Sequence, residues 1–275
     1  MKPMMIALLT DFGIDDPYAG IMKGIIKDIS PDADIIDLTH KIPAGDIQRG
    51  AFVLWQAARD LPYGTVFLSV VDPGVGTNRK ALFLHRGGQI FIGPDNGLLS
   101  YLFYNSQYSA WELTNPKYQL PGSSNTFHGR DIFAPGAAYA AQGIPGNQFG
   151  PAVKSLIRLA DPVFTREGNS IRGEILSRDS FGNLFTSLGI LKFNNDIIEV
   201  NSWITGDSLI IPNTKNIMIH VNQHQLPLVT TFGSVPGNKS AGLIGSTGLL
   251  EIITNQGSSV DVLSLKRGDP VTLSW

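Results

Sequence analysis

Met5-Ile-Ala-Leu-Leu-Thr-Asp-Phe-Gly-Ile-Asp-Asp-Pro-Tyr-Ala-Gly-Ile-Met-Lys-Gly24 decides how the rest of the chain is read. Met5–Leu9 is an apolar run of strand length, broken by Thr10-Asp11-Phe12-Gly13. A helical stretch follows from about Pro17 to Ile29; Pro17 suits a first helical position, Asp15 or Asp16 suits the cap, and Pro31 stops it. Strand, polar turn and helix in that order form the opening unit of an α/β sheet, and the pattern recurs. Ile35–Leu38 is a second strand. Asp46 caps a helix with Ile47, Ala51, Leu54 and Ala58 on one face, and Val66–Val71 is a buried strand that again ends in a glycine-rich loop. Ala81–Leu84 and Gln89–Ile92 form a hairpin across Arg86-Gly87-Gly88, and helices are expected near Leu98–Tyr104 and Ile132–Ala141. This order predicts a mostly parallel sheet between helices.

Beyond about residue 165 the helical period fades. Ile171–Leu176, Leu184–Ser187, Ile217–Val221, Leu226–Thr231, Leu249–Ile253, Val260–Leu265 and Val271–Leu273 are short runs separated by turn residues, the pattern of a small β-barrel or sandwich. With the boundary between Leu159 and Gly168, the expected organisation is an N-terminal α/β domain over residues 1–163 and a C-terminal β-barrel domain over 168–275.

Composition narrows the chemistry. The 275 residues include no cysteine, which excludes thiolate metal sites, iron–sulfur clusters and cysteine nucleophiles. The formal net charge is −2, with Lys and Arg scattered, so neither nucleic acid nor an anionic membrane is an expected partner. Apolar runs are too short to cross a bilayer, and Met1-Lys-Pro-Met-Met-Ile6 lacks the pattern of a signal peptide, so a soluble cytoplasmic protein is expected.

Open α/β sheets bind ligands at the carboxyl ends of their strands. Polar loops fall at such places: Asp11–Asp16, Asp72–Arg79, Gly93–Gly97 and Asn125–Asp131, with Asp179–Asn183 opening the second half. Asp11, directly after a buried strand, is either an Asx-turn residue or a carboxylate for two ribose hydroxyls. Gly74-Val-Gly76 lacks the lysine and spacing of a phosphate-binding loop, so it reads as a turn needing positive φ. Asp72 and Arg79 flank that turn as an ion pair or a reactive pair. His128 sits among Phe127, Gly129, Arg130 and Asp131; His40, His85, His220 and His224 occupy no comparable loop and are assigned nothing.

Taken together, six strings resemble one family, the S-adenosyl-L-methionine hydroxide adenosyltransferases (SAM hydrolases), related to the fluorinase and chlorinase. They are Thr10–Gly24, Asp72-Pro-Gly-Val-Gly-Thr-Asn-Arg-Lys80, Gly93-Pro-Asp-Asn-Gly-Leu-Leu99, Thr126-Phe-His-Gly-Arg-Asp-Ile-Phe-Ala-Pro135, Asp179-Ser-Phe-Gly-Asn-Leu184 and Asn255-Gln-Gly257, in order over nearly the whole chain. The resemblance implies an α/β domain followed by a β-barrel. It also implies a homotrimer with S-adenosyl-L-methionine between one subunit's N-terminal domain and a neighbour's C-terminal domain. By motif position it makes Asp72, Arg79 and His128 the set near the reacting carbon. The halogenases carry tyrosine where Asp72 stands, which favours water over halide. The resemblance further implies Asp11 on the ribose with Asp16 nearby, and Asp179 and Ser246 on the methionine amino-acid group. Asn183 and the backbone near Gln256 fall at the adenine, with Phe181 and Phe185 as stacking faces. Thr247 and Thr254 replace arginines of the fluorinase and are assigned nothing.

No metal or cofactor is implied, because S-adenosyl-L-methionine is the substrate and its leaving group is neutral. Two other classes compete. Asp11, Asp16, Asp72 and Asp95 could ligate Mg²⁺ or Mn²⁺ in a phosphoesterase, and a non-catalytic S-adenosyl-L-methionine or adenosine binder would keep the pocket without turnover.

Overall fold

The computed structural model describes residues 4–194, 197–212 and 217–275, which divide into two compact units, Met1–Leu159 and Ala160–Trp275. The first unit is built on six strands and three helices: β1 (Met5–Thr10), α1 (Tyr18–Ile29), β2 (Asp34–Thr39), α2 (Ile47–Asp60), β3 (Val66–Val70), β4 (Ala81–Arg86), β5 (Gln89–Pro94), β6 (Tyr108–Glu112) and α3 (Ala134–Ala141). The sheet order is β2-β1-β3-β5-β4-β6. β2, β1, β3 and β5 are parallel, while β4 and β6 add antiparallel pairings at one side, so the sheet is mostly parallel as expected.

Period-two alternation on the central strands feeds two cores, because successive side chains leave opposite faces. Ile6 and Leu8 of β1, with Val66 and Leu68 of β3, pack with Met22 and Ile26 of α1 and the alanines of α3. Ala7, Leu9 and Phe67 pack on the other face with Leu54 and Ala58 of α2. Each fully buried large aliphatic side chain contributes roughly 1.5–3 kcal/mol. Asp46 caps α2 as anticipated, accepting from the Arg49 N–H at 3.0 Å.

The second unit continues with β7 (Phe164–Glu167), β8 (Ser170–Arg178), β9 (Leu184–Asn194), β10 (Ile197–Asn201), β11 (Ser208–Pro212), β12 (Met218–Val221), β13 (His224–Val229), β14 (Ser240–Ile244), β15 (Leu249–Thr254), α4 (Ser259–Leu263) and β16 (Pro270–Ser274). Strand neighbours run β9-β15-β14-β13-β12-β16-β8, and the β8–β9 pairing returns to the start, closing a barrel. Its interior holds Ile171, Leu188, Ile219, Ile252 and Leu273, all fully buried.

Local expectations needed correction at four places. Leu98–Tyr104 is not an α-helix but a single 3₁₀ turn at Ser100–Leu102. Ile132–Ala141 begins earlier, as a turn of π-helix over Gly129–Phe133 that runs into α3. Val260–Leu265, read as a strand, is mostly the short helix α4, because Ser258 Oγ caps it at the Asp261 N–H. Neither Asp15 nor Asp16 caps α1. Pro17 holds the cap position, its backbone is already helical, and its carbonyl accepts from Ile21 N–H, so both aspartates stay exposed.

Leu8, fully buried at the middle of β1, sets the scale of the first core. Leu8→Ala should lower the unfolding free energy by about 2–5 kcal/mol in chemical denaturation, against about 1 kcal/mol for Asp46→Ala. Equal costs would mean that the sheet core is not what holds this unit together.

Candidate active site

β1 and β3 run side by side with Thr10 opposite Val70, so the loops carrying Asp11 and Asp72 leave the same end of the sheet. Asp72 and Arg79 frame the turn after β3. Within it Gly76 has φ +78°, and a β-carbon there would overlap the carbonyl oxygen of Asn125. Only glycine permits that approach, which brings the turn against the segment leading into His128. His128 stands immediately before the π-helical turn, a local widening common at functional sites. Gly129 is confined similarly, since a β-carbon would lie 3.0 Å from the Phe127 ring and 3.2 Å from Met22 sulfur.

Arg79 joins these two loops. Its Nε donates to Asp72 Oδ1 and Oδ2 at 2.9 and 3.0 Å, and Nη2 donates to Asp72 Oδ2 at 2.5 Å and to His128 Nδ1 at 2.7 Å. The ion pair is nearly buried, with side-chain exposures of 7% for Arg79 and 5% for Asp72. The Phe133 ring lies 5.1 Å from the guanidinium carbon. A guanidinium can only donate, so His128 Nδ1 accepts and the neutral ring carries its proton on Nε2. Burial and then the Arg79 charge push the His128 pKa below the ordinary histidine value, against weaker pulls from Asp72 and Asp131. The imidazole is therefore neutral at physiological pH, with its lone pair engaged by Arg79.

A cavity of about 500 Å³ opens over this set. Asp72 and His128 line it, along with Phe12, Tyr18 and Phe127. The three rings meet edge to face at centroid distances of 5.3–6.0 Å. Arg79 lies behind the lining, holding the two residues that face the cavity. Arg130 and Asp131 form a structural pair at 2.6 Å, and Asp131, almost fully buried, also accepts from Ser124 N–H.

Asp11 Oδ2 accepts from Gly45 N–H at 2.8 Å, while Asp16 is exposed and makes no hydrogen bond among the described residues. Behind Asp11 lies a residue that sequence reasoning passed over. His40 is buried between Thr10 Oγ1, 2.8 Å from Nδ1, and Asp37, 3.0 Å from Nε2; Lys23 donates to the far oxygen of Asp37. The partners make Nε2 the donor and Thr10 the hydroxyl donor to Nδ1, a relay that fixes the base of the Asp11 loop. The lone polar residues at the end of β2 were the available signal. Asp95 is not free to bind metal, since it is buried and accepts from Ile157 N–H. Among the described residues no three His, Asp or Glu side chains gather where they could hold an ion, so Asp11, Asp16, Asp72 and Asp95 do not converge.

In the second unit, Asp179 closes its own loop. Oδ1 accepts from Phe181 and Asn183 N–H groups, both at 2.9 Å, and Oδ2 accepts from Asn183 Nδ2 at 2.9 Å. Gly182 packs on Ser258 and accepts from Val260 N–H, which brings this loop against the turn holding Gln256, itself exposed at φ +55°. Phe181 presents an open ring at 77% exposure, whereas Phe185 is buried and offers none. Ser246 is exposed in the turn between β14 and β15.

Fold and cavity together define an α/β plus β-barrel protein with a buried, enzyme-type ion-pair cluster at the carboxyl ends of parallel strands. The SAM hydroxide adenosyltransferase N-terminal domain profile matches residues 6–150 and the C-terminal domain profile residues 173–272, so the chain belongs to the SAM hydroxide adenosyltransferase family. It is 37% identical to the (R)-S-adenosyl-L-methionine hydrolase of Thermus thermophilus over 99% of this chain and 100% of the relative. A Salinispora tropica protein of the same name is 37% identical over 96% of this chain and 95% of its own. A fluorinase from Actinoplanes is more distant, at 27% over 98% of this chain and 97% of that protein. The crystal structure of an uncharacterized conserved protein from Thermotoga maritima matches with TM-score 0.84 and 33% identity, over 98% of this chain and 100% of that one.

The neutral, Nε2-protonated imidazole is directly observable. Nitrogen-15 NMR should show His128 as that tautomer, titrating below the ordinary histidine range, and Arg79→Met should move its pKa upward because a repelling cation is removed. An unmoved titration would contradict the contact.

Proposed function

We propose that this chain hydrolyses S-adenosyl-L-methionine to adenosine and L-methionine by a single in-line attack of water at ribose C5′. The observation that carries this reading is the buried Asp72–Arg79–His128 set, with two of its members facing an aromatic cavity, in a member of a family whose similar relatives are named (R)-S-adenosyl-L-methionine hydrolases. Water loses a proton as its oxygen bonds to C5′, the C5′–S bond breaks, and its electron pair stays on sulfur as the neutral thioether. Asp72, the carboxylate facing the cavity, takes the proton. His128 donates from Nε2 to the water oxygen, since its other nitrogen is occupied by Arg79, and Arg79 positions both.

Attack by an oxygen nucleophile on a sulfonium brings opposite charges together and annihilates them, so a water-poor cavity lowers the barrier. Alignment of water, C5′ and sulfur supplies roughly 7–11 kcal/mol more. No step calls for a metal or cofactor, because the leaving thioether is neutral. Asp11 takes the ribose hydroxyls with Asp16 at the same rim. Asn183 and the Gln256 backbone take the adenine edge, Phe181 stacks on it, and Asp179 and Ser246 take the methionine end; Phe185 is buried and falls out of this reading. Because these groups belong to separate units, the reading includes a homotrimer in which one subunit's α/β unit and a neighbour's barrel enclose the substrate. No described helix is long and apolar enough to span a membrane, in keeping with a soluble cytoplasmic enzyme. A halide would sit against the Asp72 carboxylate and be repelled, which disfavours halogenation.

Incubation with S-adenosyl-L-methionine should release adenosine and L-methionine, with no S-adenosyl-L-homocysteine and no halogenated adenosine in chloride or fluoride buffer. Asp72→Asn, Arg79→Met and His128→Ala should each reduce kcat strongly. Asp11→Ala should mainly raise KM, by roughly ten- to a hundredfold for each lost charge-assisted hydrogen bond. A halogenated product would move the chain to the halogenases, and binding without turnover would make it a non-catalytic binder.

A further inference from the structure

Of the polar loops at the strand ends of the first unit, only Gly93–Gly97 lends nothing to the cavity wall. It turns instead to the loop that carries Asp72 and Arg79. Asn96 Nδ2 donates to the Val71 carbonyl at 2.9 Å, and Asn96 Oδ1 accepts from Leu98 N–H at 3.1 Å. One residue earlier, the Asp95 backbone N–H donates to the Lys80 carbonyl at 2.9 Å. Val71 immediately precedes Asp72, and Lys80 immediately follows Arg79. Two consecutive residues therefore grip the reactive loop at its entry and at its exit.

The grip at the entry is needed because the sheet has ended there. The pairing of β3 with β5 stops at Leu68 and that with β1 at Val70, so no strand takes the carbonyl of Val71, a fully buried residue. A buried carbonyl needs a donor, and Asn96 supplies it. The Val71–Asp72 peptide is planar, so fixing its oxygen also fixes the direction in which the chain enters Asp72. The turn beyond is braced from within: Thr77 donates to the Gly74 carbonyl through its N–H at 3.1 Å and through its hydroxyl at 2.7 Å. A loop that is stiff inside moves as a body when one end is released, and Asp72 and Arg79 move with it. Leu98 steadies Asn96 from the far side. It packs with Val71 against Gly50, where a β-carbon would lie 2.7 Å from Leu98 and 3.1 Å from Val71.

We propose that Asn96 is a positioning residue for the reaction: its hydrogen bond to the Val71 carbonyl sets where the Asp72 carboxylate stands in the cavity and keeps Arg79 within reach of His128. This rests on the hydrolysis reading above. Asn96 lies outside the cavity wall, so it acts through Asp72 rather than on the substrate. An amide suits the place because one side chain must donate to the Val71 carbonyl while accepting from Leu98 N–H. Aspartate there would keep the acceptor and lose the donor; alanine would lose both.

The test is steady-state kinetics with S-adenosyl-L-methionine on wild type, Asn96→Asp, Asn96→Ala and Asp95→Asn. Both Asn96 variants should lower kcat by roughly ten- to a hundredfold, the cost of a small misplacement of a reacting group, with little change in KM. Asp95→Asn keeps the backbone N–H and an acceptor for Ile157 N–H, and should match wild type. If the turn at Leu98 were all that mattered, Asn96→Asp would retain wild-type kcat, and that result would overturn the proposal. An equal loss in Asp95→Asn would trace the effect to general loosening of the loop and overturn it too. Should Asn96→Asp not fold, Asn96→Ser, whose hydroxyl stops short of the carbonyl, carries the same expectation. Nitrogen-15 NMR of His128 adds a readout that needs no turnover. The Arg79 charge outweighs the Asp72 pull on His128, so as the loop shifts in Asn96→Ala the ring should titrate closer to the ordinary histidine value; an unmoved titration would contradict the proposal. If wild type released no adenosine, the hydrolysis reading would fail by itself, and the His128 titration would still decide the place of Asn96.

Discussion

Everything in the first unit converges on one buried guanidinium. Arg79 is almost wholly out of water, and a cation there is tolerable only if its donors are used. Four contacts meet that demand, three to Asp72 and one to His128, with an aromatic face alongside. The rigid fork of arginine suits this better than lysine would, because it can grip a carboxylate and still aim a further N–H elsewhere. The bonds tie residues seven and forty-nine positions apart in sequence. Two glycines make the tie possible. Gly76 lets the turn after β3 press on Asn125, and Gly129 lets the π-helical turn pack on Phe12, Met22 and Phe127.

The electrostatics of the first unit follow from that pairing. The arginine is neutralised by its own aspartate, and the cavity wall shows the Asp72 carboxylate, a neutral imidazole, aromatic rings and Arg130, itself paired with Asp131. On the proposed reading, water is largely excluded around the sulfonium here, so the loss of its charge during reaction forfeits less solvation than it would in water. Anchoring interactions that are equal in ground and transition states set affinity, and those that change during reaction set rate.

Sequence conveyed the parts of this that repeat. Strand, polar turn and helix recur with enough apolar periodicity to specify the parallel sheet, and turn-punctuated short runs marked the barrel. The edge strand β6, Tyr-Ser-Ala-Trp-Glu, escaped because its pattern is short and half polar, and β14 escaped because Gly242 interrupts it. Val260–Leu265 alternates like a strand, but a serine cap at its start outweighs five residues of pattern. The cluster residues Asp72, Arg79 and His128 were legible as polar loops at strand ends and by family motif, but not their connectivity, since which nitrogen of His128 is free depends on where Arg79 points. His40 was signalled only by the polar residues at the end of β2; its significance lies in the Thr10 and Asp37 side chains that tertiary packing places next to it.

The central claim is that water attacks C5′ directly, with Asp72 acting as base. Asp72 could instead attack C5′ itself and be released by water in a second displacement. Stereochemistry at C5′ separates the two. Substrate carrying a single deuterium of known configuration at C5′ should yield adenosine with that centre inverted, as one in-line displacement requires; retention would mean two displacements and a covalent intermediate, and would contradict the account.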